Sequence, residues 1–268
     1  MKRHTFKSKI RYAGLVLAVL AASWTAPPLA ATTVNPVTDE ALVKSAELIF
    51  QGVVVRIDNR MSGYRTTFDA QLPHTFVTFQ VERTFKGKHT GQSNLFTLRL
   101  MGGPDYRAGR FMTVEGCPDF DIGERVVLFV RRNERSICPI VGWPQGRFRI
   151  VDGQLFSDTG REVWLTPGNR VTLGPKRDLP EVRTHHRGGD VYAYKEKGPE
   201  ISEAPVAQPA MSGTRLSVAG FLGYIARLVN TLHTPTELSQ LPAVHSAAVD
   251  QPFYVSQPRA VGDSGPQQ

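Results

Sequence analysis

The stretch His74-Thr-Phe-Val-Thr-Phe-Gln-Val-Glu-Arg-Thr-Phe85 sorts into two columns. Phe79, Val81, Arg83 and Phe85 fall on one side, and Thr78, Gln80, Glu82 and Thr84 on the other. A period of two in a run rich in β-branched and aromatic residues predicts a strand with one buried face. Working outward, Lys86-Gly87-Lys88 turns the chain, and Asn94-Leu-Phe-Thr-Leu-Arg-Leu100 alternates again as a third strand that Gly102-Gly103-Pro104 breaks. Upstream, Glu47 to Ile57 is too short and too β-prone for a helix and makes the first strand. Residues 58 to 73, with Asp58, Asn59, Gly63, Asp69 and Pro73, read as a loop. Thr38 can cap a short helix reaching about Ser45, with Asp39 and Glu40 in the first turn where negative charge suits the helix dipole.

Downstream of a loop from 101 to 116, Glu124-Arg-Val-Val-Leu-Phe-Val-Arg131 reads as a further strand, followed by the element Ile137 to Trp143. Arg147 to Val151 and Gln154 to Phe156 then flank Asp152-Gly153, a strong hairpin signal because Gly tolerates the positive φ that such turns require. The mainly β order from about 46 to 173, preceded by a short helix, predicts a small OB-fold-like β-barrel domain over 32–174.

The ends of the chain read differently. Lys2, Arg3, Lys7, Lys9 and Arg11 stand without an acid, an apolar run from Tyr12 to Trp24 follows, and Leu29-Ala30-Ala31 supplies small residues. That order predicts a signal peptide over 1–31 and export to the periplasm or the extracellular space. The apolar run is shorter than the roughly 20 residues that span a bilayer, so no transmembrane segment is expected after cleavage. Removal leaves 27 basic against 24 acidic residues, a net charge of +3 in place of +8. So small a surplus makes no phosphate-binding stripe, and nucleic acid is set aside as a partner.

Cys117 and Cys138 are the two cysteines of the chain. An oxidising compartment favours pairing them in a structural disulfide, worth about 3 kcal/mol if unstrained. A redox or metal role lacks a C-x-x-C spacing or a neighbouring histidine. Residues 175–213 are crowded with Pro, Gly and charge and read as a flexible linker. A separate amphipathic helix is expected within 214–234. Ser217 caps it, its apolar positions Val218, Phe221, Leu222, Ile225, Leu228, Val229 and Leu232 follow a 3.6 period, and Pro235 stops it. Docking on the barrel, partner binding and a membrane surface are its three readings. Docking comes first, because Arg227 is the lone cation of its polar face. The tail from 235 to 268 reads as disordered.

Two segments carry a resemblance. Ala46-Glu-Leu-Ile-Phe-Gln-Gly-Val-Val-Val and Phe76-Val-Thr-Phe-Gln-Val-Glu-Arg-Thr-Phe-Lys-Gly87 resemble the opening strands of netrin-like domains, including tissue inhibitors of metalloproteinases. The chain also resembles a group of exported bacterial proteins of unknown function. These share that opening, a strand like Ile122 to Phe129 and an element like Gln145-Gly-Arg-Phe148. The resemblance covers about 40 to 173 and implies a netrin-like barrel. The inhibitors set an N-terminal Cys on the protease zinc. No Cys precedes Cys117 here, so that mechanism does not carry over.

Other motifs have plainer readings. Gly262-Asp-Ser-Gly-Pro266 is similar to the nucleophile motif of trypsin-like proteases, but it lacks the second Gly and a preceding strand. His185 and His186, beside Asp178, Glu181 and Asp190, read as solvated linker, and His74 and His89 as surface residues near strand ends. Trp143, Phe148 and Trp164 accompany Arg147 and Arg149, a mix that can stack a ligand or fill a core, and core packing is the simpler account. No catalytic residue, metal ligand or cofactor is implied. The resulting expectation is an exported non-enzymatic binding protein whose partner is another envelope or secreted protein. Inhibition of a secreted metalloprotease through an edge or a loop such as 101 to 116, and an envelope enzyme with an unrecognised site, are the alternatives.

Overall fold

The computed structural model describes residues 36–62, 72–91, 93–105, 108–179 and 212–247, and the elements below belong to the compact unit Val37–Gln268. Helix α1 (Asp39–Ser45) is capped by the Thr38 side chain, which accepts from the Ala41 N–H. Strands β1 (Leu48–Ser62) and β2 (Leu72–Lys86) form the long first hairpin. Both run further than the sequence reading, which places a loop at 58–73. The turn-prone residues stay extended because their side chains find partners in the ladder. Asp58 pairs with Arg56 at 2.7 Å, and Asn59 accepts from the Thr75 hydroxyl at 2.9 Å. Three register shifts along β1 bend the hairpin.

Strand β3 (Leu95–Met101) pairs with β2, and β6 (Arg125–Val130) pairs with β1 on its other side. Between them, the expected loop 101–116 contains a ribbon of β4 (Gly103–Asp105) and β5 (Arg110–Met112). The uninterrupted apolar run of β6 is buried on both faces. Val126, Leu128 and Val130 enter one core with Phe50, Phe79 and Phe96, whose rings meet edge-on with Phe50 at 5.4 and 5.5 Å. Val127 and Phe129 enter a second core on the opposite face.

A short 3₁₀ turn (Trp143–Gly146) leads into β7 (Arg147–Val151) and β8 (Gln154–Ser157), joined as expected through Asp152 and Gly153 at φ 50° and 70°. Ile140 makes only an isolated bridge to Val130, so the 137–143 element is not a strand of its own. Strands β9 (Arg161–Leu165), β10 (Val171–Lys176) and β11 (Thr214–Arg215) complete a sheet ordered β10-β9-β8-β7-β6-β1-β2-β3, with β11 beside β9. Strand β10 therefore takes the first two residues of the linker expected over 175–213, whose middle lies outside the described residues, and β11 occupies the start of the 214–234 segment ahead of its helix.

No ladder joins β3 to β10 among the described residues, so the domain is an open, barrel-like antiparallel sheet. The outward N–H groups of β3 are nonetheless satisfied. Thr97 donates to the Ser246 hydroxyl, Arg99 to the Asn133 side chain and Met101 to the Ile137 carbonyl, at 2.8, 3.0 and 2.9 Å. Non-strand segments thus seal the edge that would otherwise template pairing.

Helix α2 (Val218–Leu232), capped by Ser217, docks on the second core through Phe221, Leu222, Tyr224, Ile225 and Val229. Phe221 packs on Phe148 with ring centroids 4.6 Å apart. The Tyr224 hydroxyl donates to the Asp39 carboxylate, tying α2 to α1. Pro235 ends one helix and opens the next, α3 (Pro235–Gln240), whose Thr234 and Glu237 form a capping box. The disorder expected from residue 235 is therefore corrected as far as 247. Buried Val244 and Ala247 and the bonds to β3 stabilise what composition alone reads as loose. The rest of the tail lies outside the described residues, as does 1–35.

The Lys86-Gly87 turn acquires a physical role. Lys86 is buried, and its Nζ donates to the Val43 and Lys44 carbonyls at 2.7 and 3.3 Å, satisfying orphan groups at the C-terminus of α1. Gly87 has φ +77°, and a Cβ there would sit 2.1 Å from the Glu47 carbonyl oxygen. Gly87→Ala is expected to cost about 3 kcal/mol, because both the backbone region and the backbone contact forbid the side chain. Urea unfolding of the two proteins measures this.

Candidate functional site

Period-two counting places the site. Glu124, Val126 and Leu128 share a face, and Arg149 and Arg147 stand opposite Val126 and Leu128 in the β6–β7 register. Both arginines therefore point toward the mouth of the first core. They are buried to 8% and 2% exposure, and burial at that depth demands counter-charges. Arg147 donates through Nη2 to both oxygens of Glu124 and through Nη1 to Asp158, each at 2.6 Å. Its guanidinium lies 4.3 Å from the centre of the Phe120 ring, and its Nε is buried without a hydrogen-bond partner. Arg149 Nε donates to Glu124 at 2.7 Å.

Above this ion cluster opens a groove of about 410 Å³, walled by Gly116 to Asp119, Pro144, Arg147, Arg149, Asp158 and Thr159. Burial pushes the Asp158 carboxyl up from its ordinary value, with Arg147 opposing. Asp119 reaches solvent at the rim, yet the groove walls remove enough water to raise its carboxyl too, again against the pull of Arg147. Asp119 makes no hydrogen bond or ion pair among the described residues.

Cys117 and Cys138 lie against this groove. Both are free thiols in the structure, Cys117 half-buried and Cys138 buried, within thiol–thiol hydrogen-bond reach of each other. The bond to Cys138, together with burial, raises the Cys117 thiol, while the bond from Cys117 lowers that of Cys138.

The aromatic set divides. Phe148 fills the second core, Trp164 is half-buried with its indole N–H on Glu162 at 3.1 Å, and Trp143 is 37% exposed. Trp143 sits at φ +58° directly after Gly142 at φ +62°, an uncommon conformation for a bulky side chain. Core packing therefore accounts for Phe148 alone. The ion cluster was legible in part, since Arg147 and Arg149 are two apart in a strand. Asp119 and Asp158 come from loops, and nothing local announces them.

The surface assignment of His74 and His89 is corrected. His74 is 1% exposed, and His89 is half-buried against Phe96, with ring centroids 5.6 Å apart. His74 Nδ1 lies 2.8 Å from the Leu72 carbonyl, so it carries the proton, and Nε2 accepts from Arg99 Nη2 at 3.1 Å. Desolvation and the charge of Arg99 push the imidazole down to about 4 from 6.5. An unfolded chain therefore binds the extra proton between those values. The fold is expected to hold its full His74 contribution above about pH 6.5 and to lose about 3 kcal/mol as pH falls to about 4. Stability measured against pH for the native chain and His74→Gln checks this, the variant giving the flatter curve; His89 and His233, also pushed down by burial, add smaller slopes to both.

His185, His186 and the Gly262–Pro266 motif lie outside the described residues. Among the described residues no group of three or more His, Cys, Asp or Glu gathers to hold a metal ion, and no helix is long and apolar enough to cross a membrane. Comparison with protein-family models, curated proteins and solved structures returned no match.

Proposed function

We propose that the chain is an exported, non-enzymatic interaction protein that engages another envelope or secreted protein through the groove above the Glu124–Arg147–Asp158 cluster. One observation carries this reading. The groove's buried charges are committed to one another at 2.6 to 2.7 Å, which preorganises a recognition surface. The N-terminal segment supports export. Pairing of Cys117 with Cys138 in that compartment joins two thiols already in contact and braces the groove wall.

The test is a photo-crosslinking residue at Thr159, on the exposed rim, in the chain expressed in its own envelope. A discrete adduct that disappears when the residue is moved to exposed Asp152, on the β7–β8 turn, is the expected result. Turnover of a peptide, ester or glycan library by the purified chain, abolished by one polar substitution in the groove, would overturn the reading in favour of an enzyme. Intact mass before and after alkylation reports the disulfide.

A further inference from the structure

We propose that Cys117 is the entry point for thiol–disulfide exchange at the cysteine pair: the thiolate of an external thiol reaches its sulfur through the groove, and Cys138 is the sulfur that leaves. This rests on the paired form proposed above and gives it a reaction partner.

Access separates the two sulfurs. Cys117 is half-buried and belongs to the lining of the groove, whereas Cys138 is 6% exposed, packs in the first core and has no place in that lining. Their supports differ as well. Cys138 is fixed between two backbone anchors, with the Met101 N–H on the Ile137 carbonyl and the Arg131 N–H on that of Pro139, both at 2.9 Å. Cys117 lies on an irregular segment, where its own N–H reaches back to the Val114 carbonyl at 3.0 Å. Exchange goes through the sulfur that a nucleophile can approach, and the groove, about 410 Å³, opens on Cys117.

The electrons balance in two displacements. The incoming thiolate forms an S–S bond to Cys117 Sγ as the Cys117–Cys138 bond breaks, and Cys138 leaves as a thiolate that accepts from the Ile140 N–H. A second thiol of the donor then displaces Cys117. Two donor thiols are thereby oxidised to one disulfide, and the two protons they release are taken up by the reduced pair. In reverse, an external disulfide is the oxidant and Cys138 resolves the mixed disulfide on Cys117.

The groove registers the change. Cys117, Pro118 and Asp119 line both the groove and a cavity of about 60 Å³ that Gly103, Phe111 and Met112 of the β4–β5 ribbon also border. Phe120 anchors this wall on one side, edge-on to Phe79 at 5.4 Å, and the paired sulfurs tie it on the other. Opening the pair replaces a covalent tie by a thiol–thiol hydrogen bond and loosens the wall without touching the ion cluster.

The test uses the full mature chain, reduced and folded. A short pulse of iodoacetamide, followed by digestion and mass mapping, is expected to label Cys117 at least ~10-fold faster than Cys138, a gap that urea closes. Oxidised glutathione is the probe of exchange. Cys138→Ala is expected to accumulate one glutathione adduct, Cys117→Ala to resist it, and the native chain to pass through the adduct to the closed pair. Amide exchange at Gly116, Cys117 and Asp119 should be faster in the reduced chain than in the closed one. Reduced glutathione and a capped dithiol peptide, each offered to the closed pair at equal thiol concentration, identify the donor: faster reduction by the peptide assigns a protein dithiol, and the opposite order a small thiol.

Labelling of Cys138 first, an adduct that persists on the native chain, or reduction of the closed pair only in urea would overturn the inference. The last of these leaves the disulfide as a permanent brace and spares the pairing. A chain isolated from its envelope with both thiols free defeats the pairing instead, and the order of labelling still decides between the two sulfurs.

Discussion

Arg147→Met is expected to destabilise the fold by about 3 to 5 kcal/mol, the largest single effect in the molecule. The side chain is 3% exposed and is the shared partner of Glu124 and Asp158, themselves 7% and 17% exposed. Methionine fills much of the volume over Phe120 but leaves two carboxylates facing each other across a desolvated site. Arg149 reaches Glu124 through Nε at 2.7 Å, so Asp158 is the more severely orphaned of the two. The urea midpoint of the variant should fall sharply at neutral pH and recover part of the loss as pH is lowered, since the stranded carboxyls then fold as neutral acids. Adding Glu124→Leu, Arg149→Met and Asp158→Asn together to Arg147→Met should restore more stability than adding any one of them alone, because removing a whole buried ion set is far cheaper than leaving part of it unpaired. Equal midpoints for the native chain and Arg147→Met would show that water, not the arginine, neutralises the cluster.

Asn133→Leu is the second large effect, expected at about 3 kcal/mol. The Asn133 side-chain amide stands in for a strand at the outer edge of β3. Its Oδ1 accepts from the Arg99 N–H at 3.0 Å, and its Nδ2 donates to the Thr97 carbonyl at 2.8 Å and to the His245 carbonyl at 2.7 Å. Leucine keeps the size but strands the buried Arg99 N–H, at a cost of about 1 to 3 kcal/mol, and removes the amide donor from the His245 carbonyl and from the Thr97 carbonyl, which keeps its bond from the Ala247 N–H. Asn133→Asp is expected to be worse than the leucine variant, because it puts a second acceptor where two carbonyls need a donor. Hydrogen exchange localises the effect: the N–H groups of Thr97, Arg99 and Ala247 should lose protection together. Loss at Arg99 alone would mean that the 241–247 strap holds the edge without Asn133.

Much of the architecture is legible in short windows. Thr38 and Ser217 cap the helices they were expected to cap, Asp152-Gly153 closes its hairpin, and the alternation in β2 and β3 finds the first core. These features depend on backbone conformation and on periods of two or 3.6, which neighbouring residues set among themselves. The alternation of β2 fails as a guide to burial near its start. Phe76 and Thr78 are buried along with Val77 and Phe79, because β3 and segments distant in sequence cover the face that the pattern leaves to water.

The groove shows the same division more sharply. Arg147 and Arg149 stand two apart on one strand face, and that spacing is plain in the chain itself. Their counter-ions arrive from Glu124 at the entry of β6 and from Asp158 in the β8–β9 turn, and only the antiparallel register brings these together. Asn133, Ser246 and Ile137 seal β3 across separations that no periodicity spans. Local conformation, strand faces and helix caps read from residue order alone because nearest neighbours decide them. Which charges are buried together and which edge is sealed depend on contacts whose partners are chosen only when the sheet closes around its cores.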